Sequence, residues 1–262
     1  MQMKLFNAIL EKLRALDKNH GYSCDFCGRE IFNYPQKRVC APCERTFQKP
    51  SKYSCEKCGR VTFSQGVCLT CKREMPSFTR GFSAFCYQGQ VPALINRFKN
   101  GKLRLGFYLG EEICKAVANA DIMQTLSSEK ILCVPVPLTK EKLKERGYNQ
   151  AEVLARQIAE EFSKCGVQVC VETDILQKVK QTPRQKDLDF QQRKSNLAGA
   201  FHVHKRSACN DATIFLVDDI LTTGATGNEC AERLLKAGAK AVYFLTAAAL
   251  PEERILNLQQ AD

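Results

Sequence analysis

Long apolar runs are absent from this sequence. No window approaches the ~18 consecutive apolar residues that a membrane helix requires, which excludes a transmembrane helix. Residues Met1 to Phe6 lack an apolar stretch of secretory length, and charges follow at Glu11, Lys12 and Arg14, so no export signal is expected. Aromatic residues are few: they make up 8% of the chain and include no Trp, leaving Phe and Tyr as its rings. Acidic residues are also scarce relative to basic ones, 28 against 39, giving a formal net charge of +11. With 262 residues and 44% hydrophobic side chains, the chain can bury an α/β core with a small satellite. A cytoplasmic protein is expected.

Cysteine, by contrast, is abundant. Eight of the 15 cysteines lie between Cys24 and Cys71. The others, Cys86, Cys114, Cys133, Cys165, Cys170, Cys209 and Cys230, are scattered singly and read as small buried hydrophobes. Without an export signal, the cluster points to metal or free thiols rather than disulfides. It consists of four C-x-x-C pairs: Cys24/Cys27, Cys40/Cys43, Cys55/Cys58 and Cys68/Cys71. One tight turn can present both thiolates of a pair to a single ion, and two turns complete a tetrahedral site.

Three pairings of the four turns are possible, and an internal repeat selects one. S-C-D-F-C-G-R at Ser23–Arg29 returns as S-C-E-K-C-G-R at Ser54–Arg60, and Phe32 returns as Phe63. A duplicated self-sufficient unit implies one zinc site of Cys24, Cys27, Cys40 and Cys43 and another of Cys55, Cys58, Cys68 and Cys71. Thioredoxin-like redox pairs fit less well, because such a motif opens a helix and four pairs crowd this short stretch. Two closed structural zinc ribbons are expected. Ahead of them, Leu5, Ile9, Leu10, Leu13 and Leu16 recur at helical spacing, predicting a short amphipathic helix.

Charge is unevenly distributed. Residues 1–80 hold 15 basic and 7 acidic side chains, residues 81–206 hold 20 and 13, and residues 207–262 hold 4 and 8. The positive regions favour phosphate-rich partners. Within the acidic segment, Ala212–Val217 is an apolar run that predicts a buried parallel strand. Asp218-Asp219 and then Thr222-Thr223-Gly224-Ala225-Thr226 follow, ahead of a helix whose apolar face is Cys230, Ala231, Leu234 and Leu235 and whose stop is Gly238. Loop amides and threonine hydroxyls at a helix N-terminus suit a phosphate. The carboxylates suit vicinal ribose hydroxyls and a metal-bound diphosphate.

The stretch V-D-D-I-L-T-T-G-A-T resembles the PRPP-binding signature of type I phosphoribosyltransferases. The resemblance implies PRPP or ribose 5-phosphate binding through Asp218, Asp219, Thr222, Thr223, Gly224, Ala225 and Thr226, with Mg2+ accompanying PRPP. Upstream, the apolar strand Ile131–Pro137 leads into Lys140, Lys142, Lys144 and Arg146, then G-Y-N-Q and a helix from about Ala151 to Lys164. In that fold family the loop after the first core strand contacts pyrophosphate, which makes Lys140, Arg146 and Gly147 the candidates here. The polar stretch Thr182–Asn196 is long enough for a lid, with Arg184 and Lys186 placed to close over a phosphate.

The double cysteine module, V-P-V-P-L…R-G-Y-N-Q, T-P-R-Q and V-D-D-I-L-T-T-G-A-T together resemble the ComF family from about Cys24 to Leu250. The resemblance implies natural competence, the handling of internalised single-stranded DNA, and a phosphoribosyltransferase-like domain. The expected fold is α/β with a central parallel sheet over residues 81–255, preceded by a helix and double zinc ribbon over 1–80 and followed by a tail at 256–262. Three functional readings stand side by side: a phosphoribosyltransferase of unknown acceptor, a single-stranded DNA binder with an inherited phosphate pocket, and a zinc-ribbon adaptor for DNA-uptake proteins. No catalytic nucleophile or general base can be named. Phe26, Tyr34, Phe47, Tyr53, Phe63 and Phe78 offer rings for stacking on bases, although most suit a ribbon core.

Overall fold

A computed structural model of the chain describes residues 22–50, 53–120, 122, 130–179, 197 and 199–255. The expected N-terminal helix, the lid with Arg184 and Lys186, and the tail at 256–262 lie outside the described residues. The elements, in chain order, are α1 (Ala41–Glu44), α2 (Leu69–Arg73), β1 (Arg80–Cys86), α3 (Val91–Lys99), α4 (Leu105–Ala118), β2 (Ile131–Pro135), α5 (Lys140–Arg146), α6 (Gln150–Lys164), β3 (Val169–Val171), β4 (Leu176–Lys178), β5 (Phe201–Val203), α7 (Arg206–Cys209), β6 (Thr213–Leu221), α8 (Ala225–Lys236) and β7 (Ala241–Ala249).

Five strands form one sheet in the order β1-β7-β6-β2-β3, every neighbouring pair parallel. The short strands β4 and β5 pair antiparallel apart from it. The interior strands are apolar on both sides, as a sheet covered on both faces requires. Alternate residues feed two separate cores. Phe215, Val217, Ile131, Cys133 and Leu245 join one with α3, α4 and α6. Ile214, Leu216, Leu132, Val134, Val242 and Phe244 join the other with α8.

The two cysteine modules divide between these cores. Cys24, Ile31, Val39, Cys40 and Phe47 belong to the first, and Cys55, Cys58, Cys68, Cys71 and Phe78 to the second. The copies of the repeat thus cover opposite faces of the sheet. β1 begins at Arg80, and the modules share their cores with the sheet instead of building their own.

Two further expectations change. The strand expected to end at Val217 continues through the acidic pair to Leu221, because β7 goes on pairing with it as far as Leu221↔Ala249. Of the scattered cysteines, Cys86, Cys133, Cys209 and Cys230 are buried and Cys114 is half-buried, but Cys165 and Cys170 are exposed. Cys165 caps the end of α6, and Cys170 is exposed on the edge strand β3.

Helices α4 and α6 meet across two glycines. A Cβ on Gly106 would lie 2.7 Å from Val153 Cγ1, and one on Gly110 would lie 2.5 Å from Gln157 Cγ. Replacing a helical Gly by Ala ordinarily stabilises by about 0.5–1 kcal/mol, whereas overpacking costs about 1–3 kcal/mol. Gly110→Ala is therefore expected to lower the melting temperature, which a thermal unfolding scan would check.

Candidate functional site

The cysteines gather as two sequential sets. The sulfurs of Cys24, Cys27, Cys40 and Cys43 all lie within 4.8 Å of one another, as do those of Cys55, Cys58, Cys68 and Cys71. Cys27 and Cys40 Sγ are 3.7 Å apart, and so are Cys58 and Cys68 Sγ. A tetrahedron with bonds of ~2.3 Å has edges of ~3.8 Å, so each set has the donors and spacing for one zinc ion. Backbone amides point at sulfur in both: Cys40 N–H donates to Cys24 Sγ at 3.3 Å, and Cys68 N–H to Cys55 Sγ at 3.3 Å. Such bonds favour thiolate over thiol. With four sulfur ligands and no open position, each centre is suited to a structural role.

The modules are anchored differently. In the first, buried Asp25 lies 3.6 Å from Arg38 and 3.4 Å from Arg104, and the Arg97 guanidinium donates to the Phe26 carbonyl, tying the module to α3 and α4. In the second, Arg60 is 1% exposed and reaches the sheet itself. Its Nε donates to Cys58 Sγ at 3.3 Å and its Nη2 to the Thr222 carbonyl at 2.9 Å. Arg60 went unrecognised as a functional residue because C-G-R occurs in both copies, and Arg29, its counterpart, is exposed.

Asp218 and Asp219 stand where β2 leaves the sheet. Pairing of β2 with β6 stops at Pro135↔Val217, after which Val136 N–H makes a last bond of 2.8 Å to the Val217 carbonyl. The order in which successive strands are added reverses between β2 and β6, and the crevice beyond the C-terminal ends of strands at such a point is the usual ligand site of open α/β sheets. The half-buried carboxylates line this end. Asp219 Oδ2 is 2.9 Å from Lys99 Nζ on α3, and Asp219 N–H donates to Asp218 Oδ1 at 2.8 Å. Burial, reinforced by the Asp219 charge, raises the Asp218 pKa to about 7, with Lys99 and Lys178 pulling the other way. The Lys178 pKa is itself lowered, by burial and by the nearby Lys142. Lys99 and Lys178 are thus the cations that act on the acidic pair. No motif marked either, because each reaches the site from a separate element.

The Thr222–Thr226 loop follows directly. Gly224 has φ +90°, a left-handed conformation in which a side chain is strained, and it starts α8. Thr223 Oγ1 accepts from Ala225 N–H at 3.4 Å, and Asn228 N–H donates to the Gly224 carbonyl at 2.8 Å. Among the described residues, the Thr223 and Gly224 amides donate to no protein acceptor. The loop therefore presents amides at a helix N-terminus beside two carboxylates, an arrangement that can hold a phosphate and a diol together.

The segment expected as a pyrophosphate loop is folded as helix α5. Thr139 Oγ1 caps its start by accepting from Lys142 N–H, and Gly147 ends it with φ +77°. Exposed Lys140 and half-buried Arg146 thus sit at opposite ends of one helix, with the Arg146 guanidinium donating to Gln150 Oε1 at 3.0 Å. The Gly147 amide is committed to the Leu143 carbonyl at 2.8 Å. The rest of G-Y-N-Q is architectural. Tyr148 accepts from Gly101 N–H at 3.1 Å, and Asn149 Oδ1 caps α6 while its Nδ2 donates to the Val136 carbonyl at 3.0 Å. Lys142 and Lys144 are exposed on α5.

Most of the candidate stacking rings are core. Phe26 meets Phe47 at 5.0 Å, Phe47 meets Phe85 at 6.0 Å, Phe78 meets Phe244 at 5.5 Å, and Tyr34 is buried. Tyr53 and Phe63 are exposed, as are Tyr22 and Phe32 at the same positions of the first copy.

A family model for the phosphoribosyl transferase domain matches residues 145–259. With the parallel sheet, this gives the larger part of the chain a phosphoribosyltransferase-like fold. The whole chain has relatives as well. Competence protein F of Haemophilus influenzae is 27% identical over 221 residues, covering 84% of this chain and 86% of that protein. Competence protein ComFC of Bacillus subtilis is 26% identical over 243 residues, covering 88% and 92%. DNA utilization protein YhgH of Escherichia coli is 26% identical over 211 residues, covering 78% and 87%. The resemblance to the ComF family thus holds over most of the chain.

Two outcomes follow from this geometry. The purified protein is expected to contain two zinc ions by elemental analysis, and Cys24→Ser with Cys27→Ser to contain one. The second concerns pH. Because Asp218 keeps its proton in the folded state up to about pH 7 and loses it near pH 4 when unfolded, stability falls as pH rises through that window. Asp218→Asn should therefore raise the melting temperature more at pH ~8 than at pH ~5, and parallel thermal scans would show it.

Proposed function

We propose that this protein handles internalised single-stranded DNA during natural transformation, inside the cytoplasm, and that its larger domain binds ribose 5-phosphate or PRPP. The carrying observation for the ligand is the acidic pair at the end of β6, followed at once by the phosphate loop. The loop amides take the 5-phosphate, and the Asp218 and Asp219 carboxylates accept from the ribose hydroxyls. Asp218 and Asp219 would hold Mg2+ arriving with PRPP, and the ion would supply charge to the diphosphate. Lys140, Lys142 and Arg146 contribute positive charge from α5, and Arg184 and Lys186 are the lid candidates.

The DNA reading is supported by relatives named for competence and for DNA utilization. It is also supported by exposed lysines on α5 and by the repeated exposed pairs Tyr22/Phe32 and Tyr53/Phe63, rings of the kind on which bases stack. DNA-uptake proteins are natural partners for such a role. A second reading, phosphoribosyl transfer, is favoured by the carboxylate pair itself, for which a purely phosphate-binding surface has no evident use. In that reaction an acceptor forms a bond to ribose C1 as the bond to pyrophosphate breaks. The positive surroundings stabilise the departing charge.

Isothermal titration tests the whole reading. PRPP with Mg2+ should bind, and Asp218→Ala with Asp219→Ala should abolish that binding. Single-stranded DNA should bind without strong sequence preference, with log K falling against log salt at ~0.7 per phosphate engaged. Reversing charge at Lys140, Lys142 and Lys144 should weaken DNA binding uniformly. Retained PRPP affinity in the double variant would refute the carboxylate role, and DNA affinity no greater than that of an unrelated protein of equal charge would favour the adaptor. Pyrophosphate release during incubation with PRPP would establish transfer.

A further inference from the structure

The repeat duplicates the backbone faithfully but not the environment. In the first copy Cys24 N–H donates to the Arg29 carbonyl at 2.7 Å and Gly28 N–H to the Cys24 carbonyl at 2.8 Å. In the second, Cys55 N–H donates to the Arg60 carbonyl at 2.8 Å and Gly59 N–H to the Cys55 carbonyl at 2.8 Å. The arginine side chains then diverge. Arg29 is exposed, whereas Arg60 is buried between a cysteine centre and the C-terminal ends of two central strands. Besides Cys58 Sγ and the Thr222 carbonyl, its Nη1 donates to the Leu250 carbonyl at 3.4 Å. Leu250 N–H in turn bonds the Leu221 carbonyl at 2.9 Å, so the guanidinium clamps the exits of β6 and β7 together.

The seam around it is rigid. A Cβ on Gly59 would lie 2.5 Å from the Gly81 carbonyl oxygen, and one on Gly81 would lie 2.6 Å from the Cys58 carbonyl oxygen. Gly81 N–H also donates to the Lys57 carbonyl at 2.7 Å. On the other side, Glu252 accepts from Leu69 N–H at the start of α2 through its side chain and donates to the Val61 carbonyl at 3.0 Å through its amide.

The chemistry of the contact is specific. In a trans peptide the C=O and the following N–H point in opposite directions. Holding the Thr222 carbonyl toward the second module therefore turns the Thr223 amide away from it, on the opposite side of the same peptide plane. That amide is among the loop N–H groups that find no protein acceptor among the described residues. The guanidinium is in turn held in the interior by sulfur, its Nε donating to Cys58 Sγ at 3.3 Å while the residue is 1% exposed. A zinc-bound four-thiolate set carries net negative charge and keeps this partner in place, because metal binding requires deprotonated sulfur.

We infer that Arg60 is a positioning residue through which the second cysteine centre, and not the first, sets the geometry of the phosphate loop at Thr222–Thr226. The inference rests on the reading of that loop as a phosphate-ester site. It assigns different work to the two copies: the first anchors helices α3 and α4, and the second governs the ligand.

The test uses full-length protein and three readouts: metal content, hydrogen exchange of the peptide spanning residues 221–228, and titration with ribose 5-phosphate. Arg60→Lys keeps the charge beside Cys58 but cannot span three acceptors. It should retain two zinc ions, accelerate exchange in 221–228, and weaken ribose 5-phosphate binding at least tenfold. Cys24→Ser with Cys27→Ser should lose one ion, yet leave loop exchange unchanged and affinity within twofold. Unchanged exchange and affinity in Arg60→Lys would overturn the inference, as would loop opening in the Cys24/Cys27 variant. If Arg60→Lys fails to fold, the Cys24/Cys27 variant is stripped of its remaining ion by a chelator. The loop must then open as the ion leaves, and a loop that stays protected overturns the inference. Wild-type protein that ignores ribose 5-phosphate while Arg60→Lys still accelerates loop exchange would refute the ligand reading alone.

Discussion

The architecture depends on a strand that is buried from both sides. β6 sends Phe215 and Val217 to one core and Ile214 and Leu216 to the other, all fully buried. A strand of this kind cannot face water on either side, so both faces of the sheet must be covered. Helices α3, α4 and α6 cover one and α8 the other, and each face also takes one cysteine module. The modules need that contact as much as the sheet does. Neither has enough apolar residues for a core of its own, so metal ligation within and sheet packing beneath are complementary sources of stability.

The same strand places the chemistry. Pairing with β2 stops where Pro135 and Pro137 end the run, while β7 continues alongside β6 to Leu221. Asp218 and Asp219 therefore sit at a half-open edge, sheltered enough for burial to raise the Asp218 pKa and open enough to meet a ligand. Lys99 and Lys178 approach from α3 and β4, so like charges at the acidic pair are balanced by cations from elements on different sides of the strand. Arg60 completes the arrangement from behind the loop. Three kinds of group thus converge on one strand end: carboxylates, loop amides, and a guanidinium held in place by sulfur.

Local motifs were legible because local chemistry determines them. Two residues between thiolates form a ligand turn in any fold, and the 31-residue repeat in the sequence was sufficient to group the eight cysteines as the structure groups them. The run from Ala212 to Thr226 likewise announces strand, acidic edge, loop and helix in chain order. Where sequence reading went astray, competing local signals decided. Thr139 and Gly147 are a helix cap and a helix stop, and they turn an expected phosphate loop into α5. Of the six rings that mostly suit a ribbon core, Tyr53 and Phe63 lie exposed on the second module.

The sequence by itself determined the two four-cysteine sets and the order of apolar strand, acidic pair, Thr/Gly loop and helix, since each follows from spacing within a few dozen residues. Only the tertiary structure decided that the repeated modules lie on opposite faces of the sheet, and that Arg60 is buried against Thr222 while Arg29 faces solvent. It also decided that Lys99 pairs with Asp219 and that the charge of Lys178 acts on Asp218. These are contacts between residues distant along the chain, such as the 162 positions that separate Arg60 from Thr222. No periodicity or motif encodes such a pairing. It arises when a buried polar group must find its partner from whatever element the packed sheet brings near.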